Sequence, residues 1–432
     1  MVKRVVVLIL ASLFLAACGG SGNNNTGVDG DTDQVEEANP LPFEPAGVGA
    51  APDPMEMGPF PVGVTTIDLY DNSRPDEMTN KGRFLRTEVW YPATQAFKDG
   101  PFYQLDMRVE ADHPMVDLGD KKETVLNADI PVMSTKSIRD AGMDRDHGPY
   151  PVVFFSHGCN GIRWQSIFFT IHLASHGYIV ISPDHDHNTL WDIVRDGYQG
   201  DSLLKSLSKR PDDMTFLLDT FTAYNGDATN FFYQSMDLDK IGISGHSLGG
   251  ITATIMPCVD PRFDVAILHS PAISVGQLVG SCDPDHYPVP MLVQGGTLDD
   301  TLPWCGQYCD YKNFVLGEMP KYMTEVIDGG HFTFSDICRL DLVSLAEEID
   351  LGSNADDALS DGCADFNVPY EKAHKVIDYY ATAFLNHYLR GSAASLDYMV
   401  EKTEEPFDAV NYFTGDVPDF WGAGGCEECD GL

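Results

Sequence analysis

Residue types suited to nucleophilic catalysis occur in an informative order along the 432-residue chain: a serine, then an aspartate, then a histidine. The serine is Ser247, in the segment Gly245-His-Ser-Leu-Gly249, which follows a β-branched run and precedes an apolar, helix-like stretch. A serine between a strand and a helix adopts a strained backbone, so flanking glycines avoid clashes and the hydroxyl projects from the sheet. The pattern predicts that Ser247 is a nucleophile rather than a structural turn serine.

A serine hydroxyl is a weak nucleophile at neutral pH and needs a positioned base, which in turn needs an orienting acid. In a strand–turn–helix architecture the chain order is Ser, then Asp or Glu, then His. An apolar run at 288–294 leads into a loop with Asp299 and Asp300, and a later run ends in Gly-Gly before His331. Each candidate follows a predicted strand, at the edge where open α/β sheets bind ligands. We therefore predict His331 as the base; the alternative is a surface loop histidine.

The chemistry also needs N–H donors for a tetrahedral oxyanion, and two backbone positions are suitable. One is the N–H of Leu248, the residue after the nucleophile. The other lies after an earlier apolar run at 151–156, where His157-Gly158 can turn the chain so that the N–H of Cys159 faces the site. Only the backbone of Cys159 would be used, so a packed side chain there is compatible with that role.

Three stretches carry a family resemblance: Val153-Phe-Phe-Ser-His-Gly-Cys-Asn-Gly161, Leu173-Ala-Ser-His-Gly-Tyr-Ile-Val-Ile-Ser-Pro-Asp184 and the segment around Ser247. Together they resemble the platelet-activating-factor acetylhydrolase branch of the α/β-hydrolases, whose neighbours are bacterial polyester hydrolases and dienelactone-hydrolase-like esterases. Dienelactone hydrolases proper carry a cysteine at the strand-to-helix turn where this chain has Ser247, so the serine disfavours that activity. The resemblance implies a carboxylester hydrolase that needs no metal or other cofactor and prefers short or oxidised acyl groups.

The resemblance also bears on the acid. The run Gly296-Thr-Leu-Asp299, followed four residues later by Pro303, resembles the family pattern G-T-x-D-x-x-x-P. We therefore favour Asp299 over its neighbour Asp300, which we expect to be solvated.

The N-terminus has the layout of an export signal: a positive start, an apolar run at 5–15 that is too short to span a membrane, and Leu15-Ala-Ala-Cys18. Leucine three residues before the cysteine fits a bacterial lipobox better than a conventional cleavage site. We expect Cys18 to be lipidated, with ordinary secretion as the alternative. Gly19 resembles the signal for the outer membrane, if the source is Gram-negative.

The predicted organisation is a lipoprotein signal peptide, a flexible tether, an α/β-hydrolase domain with two insertions, and an acidic C-terminal extension: 1–17, 18–58, 59–390 with insertions near 98–148 and 337–367, and 391–432. The fold class is α/β, with a mainly parallel eight-stranded sheet covered by helices on both faces and an antiparallel first hairpin. Strands are predicted near 62–70, 84–91, 151–156, 178–182, 240–244, 264–269, 289–294 and 322–327. Helices are predicted near 163–176, 212–224, 249–256 and 369–389.

The charge and the cysteine content of the chain limit the partners and the cellular compartments that we expect for it. With 66 acidic and 27 basic residues the net charge is −39, which argues against nucleic-acid binding and against anionic membranes beyond a lipid anchor. The ten cysteines of an exported chain indicate disulfides, and without Cys18 nine remain, with Cys159 our candidate for a free thiol. The other cysteines fall into local or bracketing positions: Cys258 and Cys282, Cys338 and Cys363, Cys305 and Cys309, Cys426 and Cys429.

The segment Asp184-His-Asp-His187 follows a strand near the site and contains zinc-ligand residue types. Spacing alone is a weak signal, and a loop that lines the substrate cleft is the favoured interpretation. No cofactor is expected, although the Asp-rich loops leave calcium open. The expected partner is a small-molecule or polymeric ester, bound by a monomer.

Aromatic side chains flank the predicted site, and Trp164, Trp304 and Phe332 are the candidates for substrate binding. They predict a cleft for esters with an apolar or aromatic body. No long apolar lid segment is present, which favours short-acyl esters over long triglycerides. Two alternatives stay open: a hydrolase-fold lipoprotein that has lost activity and only binds, and a true long-chain lipase.

Overall fold

A computed structural model describes residues 52–76, 81–197, 202–280, 282, 287–314, 320–340 and 360–415. Its strands, in chain order, are β1 (Val62–Pro75), β2 (Gly82–Pro92), β3 (Gln104–Leu105), β4 (Met133–Ser134), β5 (Ser137–Arg139), β6 (Tyr150–Ser156), β7 (Ile179–Pro183), β8 (Met236–His246), β9 (Val265–His269), β10 (Met291–Gly296), β11 (Lys321–Val326) and β12 (Val410–Thr414). Its α-helices are α1 (Met107–Ala111), α2 (Lys122–Asn127), α3 (Ile167–Ser175), α4 (Leu190–Asp196), α5 (Ser202–Gly226), α6 (Leu248–Val259), α7 (Ile273–Gly280), α8 (Trp304–Phe314) and α9 (Tyr370–Tyr388).

Ten of these strands form one sheet, in the order β12-β11-β10-β9-β8-β6-β7-β2-β1-β5. The neighbours from β7 through β6, β8, β9 and β10 to β11 pair in parallel. Strand β2 is antiparallel to both β1 and β7, so the predicted first hairpin forms. The mainly parallel α/β architecture is confirmed, but the count of eight strands was too low because β5 and β12 add one strand at each edge.

The central strands are continuous apolar runs because both faces of the sheet are covered. All seven residues of β6 are buried. Val153 and Phe155 pack into the cluster that includes α3 and α9, whereas Val152 and Phe154 pack into the cluster that includes α5 and α6. Successive side chains of a strand point to opposite faces, so one unbroken run supplies both cores.

Segments outside the regular α/β repeat pack against this body. Within 98–148, the residues Leu105, Met107 and Val125 are fully buried in the same cluster as α3. At the end of the predicted tether, the backbone N–H of Gly58 donates to Ser175 Oγ at 2.8 Å. The signal peptide and the rest of the tether lie outside the described residues, so those boundaries stay predictions.

Disulfides join Cys258 to Cys282 and Cys338 to Cys363. Two further cysteines, Cys305 and Cys309, are also disulfide-bonded. The prediction that Cys159 is free is confirmed among the described residues. Because such bonds persist in oxidising compartments, they indicate an exported protein. None of the described helices is both long enough and apolar enough to cross a membrane.

Candidate active site

The nucleophile candidate lies in a tight turn between β8 and α6. Ser247 has φ 55° and ψ −119°, a conformation that non-glycine residues rarely adopt. A Cβ at Gly249 would lie 1.8 Å from the Ser156 carbonyl oxygen, and one at Gly245 would lie 2.2 Å from the Gly249 oxygen, so only glycine fits at either position. Gly158 approaches from the loop after β6, where a Cβ would lie 3.6 Å from that of Ser247. Ser247 itself is half-buried while its chain neighbours are buried.

The base and acid candidates form a direct pair. His331 Nδ1 lies 3.0 Å from one carboxylate oxygen of Asp299 and 3.1 Å from the other, and both residues are buried. The carboxylate also accepts hydrogen bonds from the Leu302 N–H at 2.7 Å and from Gln307 Nε2 at 2.9 Å. These donors fix the Asp299 side chain and leave Nδ1–H of His331 pointing at it.

The neighbouring aspartate is placed differently. The Asp300 side chain is exposed. Its backbone N–H donates to the Asp361 carboxylate at 3.2 Å. The structure therefore brings Asp299, and not Asp300, to His331, as the spacing to the following proline predicted.

A chain of hydrogen bonds connects this pair to the nucleophile strand. His246 directly precedes Ser247. Its Nε2 atom is 2.8 Å from the carbonyl oxygen of His331, and the centroids of the two imidazole rings are 4.7 Å apart. The Gln165 amide Nε2 lies 2.7 Å from His246 Nδ1, and its Oε1 accepts the Gly158 N–H at 3.0 Å. Since an amide nitrogen only donates, His246 accepts at Nδ1 and donates from Nε2. Burial lowers the pKa of His246 well below its usual range, which keeps it in that neutral form.

The two backbone N–H groups that are predicted to bind an oxyanion, those of Leu248 and Cys159, differ in their local geometry. Leu248 is the first residue of α6, so its N–H has no partner within the helix. Arg210 donates from Nη2 to the Gly158 carbonyl at 3.0 Å and from Nη1 to the His157 carbonyl. In a trans peptide the C=O and the following N–H point in opposite directions, so the N–H of Cys159 points away from Arg210.

Arg210 is the main residue that sequence reasoning missed on this side of the site. It is fully buried, and it also donates to Ser156 Oγ at 3.2 Å, Asn188 Oδ1 at 2.6 Å and Ser206 Oγ at 3.0 Å. Among the described ion pairs, no carboxylate pairs with it directly. Burial lowers the pKa of Arg210 to about 9. A cation held mainly by neutral oxygens therefore fixes the loop after β6 through its carbonyl groups and itself leaves the loop N–H groups unused.

The sequence of this chain is similar to known acetylhydrolases. The family model for platelet-activating factor acetylhydrolase, isoform II, matches residues 50–199. The bovine platelet-activating factor acetylhydrolase is 25% identical over 264 residues, which cover 51% of this chain and 55% of that protein. The chain thus spans about half the length of the curated relative that it matches.

A solved structure gives the fold-level comparison. A ferulic acid esterase from Streptomyces cinnamoneus superposes with a TM-score of 0.58 at 21% identity, over 82% of this chain and 96% of that one. The chain has the α/β-hydrolase fold. The resemblance to the acetylhydrolase group that the motifs suggested is confirmed, and the Ser247 turn occupies the strand-to-helix elbow of this fold.

The three aromatic residues that are predicted to bind substrate lie in different environments. Phe332 is half-buried beside the base, with its ring 5.3 Å from that of His331. Trp164 and Trp304 are 2% and 3% exposed and pack in two different core clusters. The structure therefore brings Phe332, rather than the tryptophans, to the site, and a substrate contact for any of the three stays a prediction.

The segment after β7 is occupied by internal contacts. Asp184 accepts from the Arg163 guanidinium at 2.8 Å, and His185 Nδ1 lies 2.8 Å from the buried Asp213 carboxylate. The ligand atoms of Asp186 and His187 lie within 4.8 Å of one another and of Asp76, the one such grouping among the described residues. His187 Nε2 already contacts the Asp76 carboxylate, so we assign no metal there.

Proposed function

We propose that this chain is a serine carboxylester hydrolase in which Ser247 is the nucleophile, His331 the base and Asp299 the acid. The observation that carries the proposal is the buried His331–Asp299 pair, which is connected through His246 to the strand that presents Ser247. The bovine acetylhydrolase and the Streptomyces esterase are both named for ester hydrolysis, which supports the same reaction class.

In the proposed mechanism Ser247 Oγ attacks the ester carbonyl while His331 takes its proton. Asp299 holds the proton on His331 Nδ1 and stabilises the imidazolium. The N–H groups of Leu248 and Cys159 bind the oxyanion, and in comparable sites one such donor contributes about 2.7–4 kcal/mol. His331 then returns its proton to the leaving alcohol, and water hydrolyses the acyl-enzyme by the same steps.

The proposal is tested with p-nitrophenyl acetate and a fluorophosphonate probe. Ser247→Ala should abolish both turnover and labelling, because it removes the attacking oxygen and little else. The variant should keep the wild-type melting temperature, which shows that it is folded. A folded wild-type protein that turns over none of an ester series would favour the alternative of a binding protein that has lost activity.

For substrates, we propose short-acyl esters with an apolar or aromatic body. The half-buried Phe332 beside His331 offers an aromatic surface next to the reacting carbonyl. A series of p-nitrophenyl esters should give the highest kcat/KM between the acetyl and butyryl members. A maximum at twelve carbons or more would make a long-chain lipase the better assignment.

For location, we propose an exported protein that is anchored by lipid on Cys18, which lies outside the described residues. The two described disulfides support export, and the leucine at position 15 supports a lipobox. Cys18→Ser should move the protein from the membrane fraction to the soluble fraction or block its processing. Unchanged fractionation would favour ordinary secretion.

A further inference from the structure

One carboxylate outside the proposed triad contacts both of its loops. Asp361 Oδ1 accepts the backbone N–H of His331 at 2.8 Å. Its Oδ2 accepts the backbone N–H of Thr301 at 2.9 Å, the hydroxyl of Thr301 at 2.8 Å and the backbone N–H of Asp300 at 3.2 Å. The side chain therefore bridges the loop that carries the acid and the loop that carries the base.

The backbone around Asp361 fits closely against the base loop. The carbonyl oxygen of Asp361 accepts the N–H of Phe332 at 2.8 Å. A Cβ on Gly330 would lie 2.3 Å from the Gly362 nitrogen, and Gly362 has φ 108°, in the region that favours glycine. The two backbone segments, around Gly330 and Gly362, cross at van der Waals distance. This leaves the Asp361 carboxylate little freedom to move.

A disulfide ties this segment to the far side of the base loop. Cys363, two residues after Asp361, is bonded to Cys338, seven residues after His331. On the near side, the backbone N–H of Leu298 donates directly to the Gly329 carbonyl at 2.8 Å. The loop of the acid and the loop of the base are thus joined twice, by a direct backbone hydrogen bond on one side and by the Asp361 carboxylate on the other.

We propose that Asp361 is a positioning residue that sets the approach of Asp299 to His331, an inference that rests on the proposed function. Both carboxylate oxygens are engaged, one by each loop, and such charge-assisted bonds are stronger than neutral ones. An asparagine at this position offers one acceptor oxygen, so one loop would face an N–H donor instead. A misplacement of about 1 Å in a catalytic constellation can cost about 10²-fold in rate.

The test compares Asp361→Asn and Asp361→Ala with Asp365→Asn, an exposed aspartate in the same segment. Both Asp361 variants should lower kcat by about 10²-fold with little change in KM, whereas Asp365→Asn should behave as wild type. The low-field proton NMR signal of a buried His–Asp pair should weaken in the Asp361 variants only.

Two further variants cover the case in which Asp361 cannot be replaced without unfolding. Thr301→Val removes only the hydroxyl donor, and the double change Cys338→Ser with Cys363→Ser removes only the disulfide. Each should lower kcat and weaken the low-field NMR signal, as Asp361→Asn does, but by a smaller factor.

The inference is overturned if the Asp361 variants melt at lower temperature but keep wild-type kcat and the wild-type NMR signal while folded. That result would assign Asp361 a purely structural role. Failure of the proposed function would differ, because the wild type itself would then hydrolyse no ester. The NMR comparison would still report whether Asp361 orients the His331–Asp299 pair.

Discussion

The two halves of the site are fixed by different means. On the oxyanion side, the loop after β6 is held by the fully buried Arg210 and by Gln165, both within the body of the hydrolase fold. On the acid–base side, the loops after β10 and β11 are joined by Asp361, a half-buried residue in a segment closed by a disulfide. The loop after β6 is therefore held by buried side chains of the core, whereas the acid–base geometry depends on an appended segment.

The largest effect is expected at the acid. Asp299→Asn should lower kcat by about 10⁴-fold, because the amide favours the wrong tautomer of His331. Asp300→Asn is the matched control and should cost far less, since its side chain is exposed and only its backbone N–H is used. Steady-state kinetics on p-nitrophenyl acetate give both values. The reverse ranking would show that the acid is misassigned by one residue.

A smaller effect on kcat is expected when Arg210, which holds the proposed oxyanion loop, is replaced. Arg210→Met should lower kcat by about 10²-fold, within the range for loss of one oxyanion donor, because the loop after β6 loses the guanidinium hydrogen bonds to the His157 and Gly158 carbonyls. The variant should also lose stability, because the buried His157 carbonyl loses the donor that Arg210 supplies. Kinetics and thermal melting separate the two effects.

The matched control for this change is Ser206→Ala. It removes only the partner of Arg210 Nε and leaves both carbonyl contacts, so kcat should stay close to wild type. An Arg210→Met variant that is folded and fully active would contradict a role for Arg210 in the oxyanion loop.

Low pH should destabilise the fold through the buried histidines next to the loop after β6. Burial lowers the pKa of His185 to about 3 and that of His157 well below its usual range. The unfolded chain, whose histidines titrate near pH 6.5, therefore binds more protons than the folded one, and stability falls as pH drops from about 6.5 toward 3. Each such histidine contributes at most about 1.4 kcal/mol per pH unit to the free energy of unfolding. Denaturant unfolding between pH 7 and pH 4 checks the sign, and His185→Gln should reduce the slope by about that amount.

Sequence patterns predicted the elements whose periodicity is set by burial. All eight predicted strands form, and central strands such as β6 are apolar runs buried on both faces. The edge strands β5 and β12 were missed, since Ser137–Arg139 and Val410–Thr414 are short and carry polar residues. Helix α5 was predicted from residue 212 but begins at Ser202 and continues through Pro211, a residue type that usually interrupts a helix.

Candidate site residues could be proposed from the sequence where the chemistry demands a residue type, and not where it only demands a supporting contact. Ser247, Asp299 and His331 follow strand ends in a recognisable order. Arg210 occurs in a polar helix where an arginine would be expected to face solvent, and Asp361 is one of many acidic residues in an insertion. Their roles depend on contacts over 52 and 30 residues of chain, which no local pattern encodes.

The smallest effect is expected at the thiol beside the nucleophile. Cys159 contributes its backbone N–H to the proposed oxyanion hole, and its half-buried side chain packs near Leu248 and receives a weak contact from Asn188 at 3.5 Å. Cys159→Ala keeps the N–H and the loop contacts of Arg210, so kcat/KM should change by no more than about threefold, comparable to the loss of one modest packing contact. Steady-state kinetics and fluorophosphonate labelling check this. A loss of about 10²-fold or more, on the scale of a missing oxyanion donor, would mean that the thiol itself takes part in the chemistry and that the oxyanion half is not held by backbone and Arg210 alone.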